Sequence, residues 1–204
     1  MKIYYDAARA PNPRRVKIFL AEKGITVPVE TVDMGAMAHK GEAFKSVNPM
    51  QRLPALELDD GTVLTESIAI CRYFESLHPQ PPLFGRDPKE QALVEMWQRR
   101  VEFHFLTAVS NVFRHSHPAM AALETPQVPA FGEANKPKAM EFLEFMNGEL
   151  GKRQFVAGKD YTVADITFLV SVDFMKPVKL PIPDSLTHVK RWHAEVSARP
   201  SSKA

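Results

Sequence analysis

Proline 54 restricts the possible folds of this chain more than any other residue. It stands directly ahead of the run Ala55-Leu56-Glu57-Leu58. A proline has no backbone N–H to give to a ladder, so it marks the mouth of a strand and not its interior. The Leu53–Pro54 bond is a candidate for the cis form, which costs only ~0.5–1 kcal/mol in an X-Pro pair. A cis bond there would turn the Leu53 N–H and C=O outward, open to an extended peptide. Asp59-Asp60-Gly61 reads as a hairpin turn with glycine supplying the positive φ. Thr62-Val63-Leu64 returns, and Thr65-Glu66-Ser67 opens a helix. The unpaired N–H groups and partial positive charge of a helix start suit a carboxylate. Two devices for reading a peptide-like ligand therefore adjoin within Asn48 to Phe74.

The sequence before this stretch supplies the rest of a small sheet. Lys2-Ile3-Tyr4-Tyr5 is a short β-rich run, and Ala7 to Pro13, with Pro11 and Pro13, reads as irregular. Arg14 to Lys23 carries Val16, Phe19 and Leu20 at helical spacing. Asn12 is placed as its N-cap, Pro13 in its first turn, and Gly24 just past its end. Val27 to Asp33 alternates like a second strand, Gly35 to Gly41 is a loop, and Glu42 to Val47 is a short helical piece. The order is βαβα followed by ββα. Its first half needs a crossover and hence a parallel pair, and its second half is a hairpin and a helix. This order, with X-Pro ahead of the third strand, resembles the thioredoxin-like fold.

A proline-dense segment, His78 to Pro88, then acts as a stiff linker, and only helical patterns follow. Glu90 to about Phe113 reads as one long helix. Pro118, Pro126, Pro129 and Pro137 interrupt a variable section, and Lys138 to Gly151 is a second helix. Thr162-Val-Ala-Asp165 has the form of a capping box opening Ile166 to Phe174, a helix apolar on every side and so suited to a bundle's centre. Leu186 to Ala198, containing Trp192, closes the chain. The domains expected are 1–79, a linker at 80–88, and an all-helical 89–204.

Composition narrows the class of partner. The 26 basic and 24 acidic residues nearly cancel, which gives no support to nucleic-acid binding. No apolar run approaches the ~20 residues of a membrane span, and no secretory leader is read at the start. The single cysteine, Cys71, cannot form an internal disulfide and fits a reducing compartment, so a cytoplasmic protein is expected.

Three segments together resemble the soluble glutathione S-transferase family over essentially the whole chain. Arg15-Val-Lys-Ile-Phe-Leu-Ala-Glu-Lys-Gly-Ile25 is similar to the family's first helix. Asn48-Pro-Met-Gln-Arg-Leu-Pro-Ala-Leu56 with Leu64-Thr-Glu-Ser-Ile-Ala-Ile70 is similar to its glutathione-binding core. Tyr161-Thr-Val-Ala-Asp-Ile-Thr-Phe168 is similar to the capping box of its helical domain. The resemblance implies an α/β plus all-α architecture, a thioredoxin-like domain followed by an all-helical one. It implies glutathione as co-substrate, a small hydrophobic electrophile, a detoxifying role and a homodimer, with no metal, nucleic acid or membrane. Residue by residue, it implies a cis Pro54, Leu53 pairing its backbone with the cysteinyl part of glutathione, and Arg52 beside it. Glu66 and Ser67 would hold the γ-glutamyl ammonium and carboxylate, and His39 and Lys40 the glycyl carboxylate. Ala10, Pro11, Arg100, Phe103 and Phe113 would line the electrophile pocket, with Arg99 and Glu102 nearby.

Glutathione chemistry requires a group that stabilises the thiolate, because the thiolate is the nucleophile. The family commonly uses Tyr, Ser or Cys near the end of the first strand. Here the loop Ala7-Ala-Arg-Ala-Pro-Asn-Pro13 has none, and Ala10 stands where the serine of serine-type members is expected. Asn12 is the remaining side chain able to donate to sulfur, as in bacterial and fungal members with a Pro-Asn pair, with Arg9, Arg14 or Arg15 adding charge. Tyr5 fits the core better than a catalytic role. Cys71, with no CxxC partner, fits packing better than redox chemistry. His104, His115 and His117 fit a surface turn or pocket edge, since no second cluster at ligand spacing completes a metal site. The reading is a glutathione transferase acting on electrophiles, or reducing small disulfides or peroxides. The alternative is a non-catalytic glutathione-binding or interaction protein that keeps the fold.

Overall fold

The computed structural model of the protein describes residues 1–5 and 10–204. Asp6 to Arg9, which include most of the loop leading to Ala10 and the arginine named as a source of charge, lie outside the described residues. The chain divides into two compact units, Met1–Leu83 with Lys203–Ala204, and Phe84–Ser202.

The first unit is built on a four-stranded mixed sheet of order β2-β1-β3-β4, with β1 at Lys2–Tyr5, β2 at Val29–Thr31, β3 at Ala55–Glu57 and β4 at Val63–Leu64. β1 pairs parallel with β2, Ile3 opposite Val29, and antiparallel with β3, Ile3 opposite Leu56. Ile3 and Leu56, at the sheet's centre, are fully buried. Side chains alternate across a strand, and Tyr4 turns into a cluster with Val32, Phe44 and Ala55, against which Leu53, Val47 and Val63 pack. Phe44 comes from α2 (Glu42–Val47), its ring 5.8 Å from that of Tyr4. Two further helices, α1 (Pro11–Lys23) and α3 (Ser67–Leu77), pack against each other. This is the expected thioredoxin-like order.

The start of α1 corrects the sequence reading. The helix begins at Pro11, its N-cap is Ala10, and Asn12 lies inside the first turn. The reason is that N–H groups of a first turn have no intrahelical acceptor, so both Pro11 and Pro13 fit there at no hydrogen-bonding cost. The first intrahelical bond runs from the Arg14 N–H to the Ala10 carbonyl, 3.1 Å. At the other end Gly24 adopts φ 64°, and the Ile25 and Gly24 N–H groups reach the Leu20 and Ala21 carbonyls at 2.9 and 3.2 Å. That pair of bonds is a Schellman motif, which needs the left-handed conformation glycine gives without strain.

The second unit is helical. It contains α4 (Pro88–Arg100), α5 (Thr107–Ser116), α6 (Pro129–Leu150), α7 (Val163–Asp173) and α8 (Thr187–Ser197). The helix read as continuous to Phe113 runs on through α4 and α5, but Val101–Leu106 between them is a π-helical turn. The Thr107 N–H reaches back five residues to the Glu102 carbonyl, and Thr107 Oγ1 donates to the same oxygen at 2.9 Å. α6 starts nine residues before the expected Lys138 and holds Pro137 in its interior. Its Pro129 occupies the first helical position, and Gly132 lies against α5 at His115 and Val112. Packing thus overrides the local cost of an internal proline. α7 is buried on all sides, as expected of a central helix. Its Phe168 ring lies 4.5 Å from Trp192 of α8 and 5.3 Å from Phe105 of the π turn.

Candidate functional site

The site assembles at the N-terminal ends of α1 and α3 within the first unit. Among the described residues no side chain caps the α3 N-terminus, and its N-cap residue, Glu66, takes φ 63° and ψ 113°. A non-glycine residue in such a conformation carries local strain on the order of 1–3 kcal/mol and is held only by its surroundings. Here the Glu66 carbonyl accepts from the Ile70 N–H at 3.0 Å, which locks the chain into the helix. The Glu66 side chain is exposed, and Ser67, the first helical residue, is buried. The two are thereby presented differently: a free carboxylate outside, a hydroxyl within.

Arg15 joins this helix end to α1. It is fully buried, and its Nη1 donates both to Ser67 Oγ, at 2.6 Å, and to Asn12 Oδ1, at 3.1 Å. Asn12 itself is exposed. The structure therefore brings Asn12 and Ser67, 55 residues apart in sequence, onto one guanidinium. Arg15 was read only as a source of charge. The signal that could have placed it is its position in α1, three and four residues before Ile18 and Phe19, in the stripe that faces the core.

The loop carrying Leu53 has its own brace. Asn48 is buried, its Nδ2 donates to the Arg52 carbonyl at 2.8 Å, and its Oδ1 accepts from the Met50 N–H at 3.0 Å. Leu53–Pro54 is cis. The Leu53 side chain packs into the Tyr4 cluster, and the Arg52 side chain is exposed. Asn48 was not singled out, although an Asn whose amide satisfies a tight loop is a recurrent device. His39 is buried and Lys40 half-buried, both on a short turn, Ala38–Lys40, ahead of α2. No contact among the described residues ties either to Ser67 or Asn12.

The remaining expected residues are placed as follows. Cys71 is buried, and that burial pushes its thiol up to about 12 despite the nearby charge of Arg15. A thiol so hard to ionise is no nucleophile at neutral pH. Tyr5 is buried as well, its hydroxyl bonded to no described residue, and burial raises its pKa, so the phenol is harder to ionise. Ala10 and Pro11 lie at the start of α1 and are half-buried. In the second unit Arg100 stacks on the Trp97 ring at 4.7 Å, and Phe103 projects 59% exposed beneath the Arg99 guanidinium. Phe113 is held between His117 and Phe174, ring centroids 4.6 and 4.9 Å away. His115 and His117 each accept a backbone N–H, from Val128 at 3.1 Å and Ala119 at 3.2 Å, which spends them on turns. Among the described residues no group of three or more His, Cys, Asp or Glu is placed to hold a metal, and no helix is long and apolar enough to cross a membrane.

Comparison with known proteins agrees with the fold. The family model of the glutathione S-transferase N-terminal domain matches residues 10–77, and that of the C-terminal domain matches residues 104–200. Glutathione S-transferase 2 of Saccharomyces cerevisiae is 34% identical over 204 residues, 98% of this chain and 88% of that protein. Among solved structures, a glutathione S-transferase domain-containing protein of Marinobacter aquaeolei VT8 is 39% identical with a TM-score of 0.94, covering 99% of this chain and 100% of that one. Gtt2 of Saccharomyces cerevisiae is 33% identical with a TM-score of 0.93, covering 100% and 99%.

Proposed function

This chain belongs to the glutathione S-transferase family, and from that premise we propose that it conjugates glutathione to small electrophiles with Asn12 as the donor to the thiolate. The observation that carries the reading is the single guanidinium joining Asn12 to Ser67. It sets a candidate thiolate donor and a candidate carboxylate site in one frame. In this reading the uncapped α3 N-terminus and the Ser67 hydroxyl bind the γ-glutamyl carboxylate, and Glu66 takes the ammonium. Leu53 offers its backbone to the cysteinyl residue, and His39 and Lys40 lie toward the glycyl carboxylate.

Lowering a thiol pKa by two units from its ordinary ~8.5 takes about 2.7 kcal/mol of preferential stabilisation of the anion. A donated Asn12 N–H is of the right kind. The thiol proton leaves to solvent, and the thiolate attacks an electrophilic carbon. A C–S bond forms, and the leaving group departs with its electron pair. The same thiolate could instead attack a small disulfide or peroxide. Residues 1–79 are assigned to glutathione, 80–88 to a linker, and 89–204, with Arg100, Phe103 and Phe113, to the electrophile. We also place the chain in the Pro-Asn subgroup and expect a cytoplasmic, detoxifying homodimer.

One observation favours a second reading, a binding protein without catalysis: residues 7–13 hold no serine, tyrosine or cysteine. Retention on immobilised glutathione, with ultraviolet absorbance of the bound thiolate, separates the two. The enzyme gives both signals, and a binder gives retention alone. Asn12→Ala is expected to cut turnover with a reactive aryl halide about 10-fold or more, equivalent to ~1.4 kcal/mol. Unchanged turnover would remove Asn12 from the mechanism.

A further inference from the structure

Asn12 and Ser67 are both ambivalent groups. A carboxamide can turn either its oxygen or its NH₂ toward a partner, and a hydroxyl can donate or accept. For an anionic ligand only the donating arrangement is of use. What selects it is the question raised by the contact between these two residues and Arg15.

A guanidinium has five N–H donors and no acceptor. Nη1 of Arg15 carries two hydrogens, and among the described residues it donates to Asn12 Oδ1 at 3.1 Å and Ser67 Oγ at 2.6 Å. The amide must therefore meet Arg15 with its oxygen, since the reversed amide would set NH₂ against N–H. Its Nδ2 then points away from the guanidinium, and it hydrogen-bonds to no described residue although Asn12 is exposed. Ser67 Oγ likewise accepts from Arg15, and its own hydrogen is given to no described residue. Arg15 has no exposed surface and so is not itself presented at the protein exterior.

We propose that Arg15 is a positioning residue that fixes the hydrogen-bonding polarity of Asn12 and Ser67, making each a donor to glutathione. The inference rests on the glutathione reading above and goes past it. It assigns to a buried arginine the orientation of two binding groups and explains how an asparagine without a fixed preference becomes a dedicated N–H donor. Arg15 acts on the thiolate through Asn12 and on the carboxylate through Ser67.

The test is a double-mutant cycle read by the pH profile of kcat/KM and by KM for glutathione, with thermal melts of every variant. Asn12→Asp keeps two oxygens for Arg15 but has no donor, so it should fold like the parent while the acidic limb moves up by about one pH unit. Arg15→Met should move that limb by a similar amount and also raise KM about 10-fold or more through Ser67. In the Asn12→Ala background Arg15→Met should leave the limb where Asn12→Ala alone puts it, while still raising KM. If Arg15→Met does not fold, Arg15→Lys, which keeps the charge and loses the planar fork, takes its place in the cycle. An Arg15 substitution that shifts the limb equally with and without Asn12 would overturn the proposal, because Arg15 would then act directly as a charge. So would an Asn12→Asp enzyme with the parent's profile. A parent chain that neither binds nor turns over glutathione would instead overturn the glutathione reading itself, and this inference with it.

Discussion

Ser67 sits where a backbone device and a side-chain device coincide. Its N–H belongs to the uncapped first turn of α3, and its hydroxyl is held by Arg15. A hydrogen bond to a charged group contributes about 1.5–3 kcal/mol, so Ser67→Ala should weaken glutathione binding roughly 10- to 100-fold by calorimetry. Glu66→Ala removes only an exposed carboxylate and leaves the strained backbone in place, so its loss should fall on the ammonium alone and be smaller. Equal affinity in the parent and Ser67→Ala would displace the carboxylate from this helix end. The place of these two residues at a helix start was legible in the sequence because helix starts and turns are written in local residue types. For Arg15 the local pattern shows only a place in the core-facing stripe of α1, and not the partner that receives its charge there. That partner, Ser67, lies 52 residues away in the sequence.

Asp165 shows the same logic at the scale of an element. The Thr162–Asp165 capping box was expected and is present, yet the carboxylate does more than start α7. Oδ1 accepts from the Val156 N–H at 2.8 Å and from Trp192 Nε1 at 2.9 Å, while Oδ2 takes the Thr162 N–H at 3.0 Å. One buried side chain thus ties α7 to the Phe155–Gly158 turn and to α8. Asp165→Asn exchanges an acceptor for a donor amid these N–H groups and should cost about 2–4 kcal/mol, seen as a lower urea midpoint. Burial outweighs the donors and pushes the carboxyl up to about 6. With the folded value raised above the unfolded one, the folded state takes up the proton first. The parent's advantage over Asp165→Asn should therefore widen as pH falls from about 6 toward about 4, and a constant gap would contradict it. The sequence pattern located α7 because a capping box and an apolar run are short-range signals. It missed the π turn at Val101–Leu106 and the first nine residues of α6, where Pro137 argued for a loop. At the π turn the rings of Phe142 and Phe168, on other helices, pack against Phe105, contacts that no local pattern announces.

Across the whole molecule the chain carries its own separate reporters. Its single cysteine, Cys71, lies in the first unit, and both tryptophans, Trp97 and Trp192, lie in the second. Cys71 has no exposed surface, and its thiol, pushed up to about 12, is almost wholly protonated at neutral pH. Alkylation by N-ethylmaleimide must therefore wait for the first unit to open, and its rate under slow labelling measures the free energy of that opening. Cys71 also stands one helical turn beyond Ser67 on α3, so a ligand held at that helix start stabilises the closed form directly. S-methylglutathione, which has no free thiol to consume the reagent, at about 100 times its Kd should add ~2.7 kcal/mol and slow labelling about 100-fold. Ser67→Ala at the same ligand concentration should recover much of the unliganded rate. Labelling that S-methylglutathione leaves unchanged would mean that the tripeptide is not held by the unit that contains Asn12, Arg15 and Ser67.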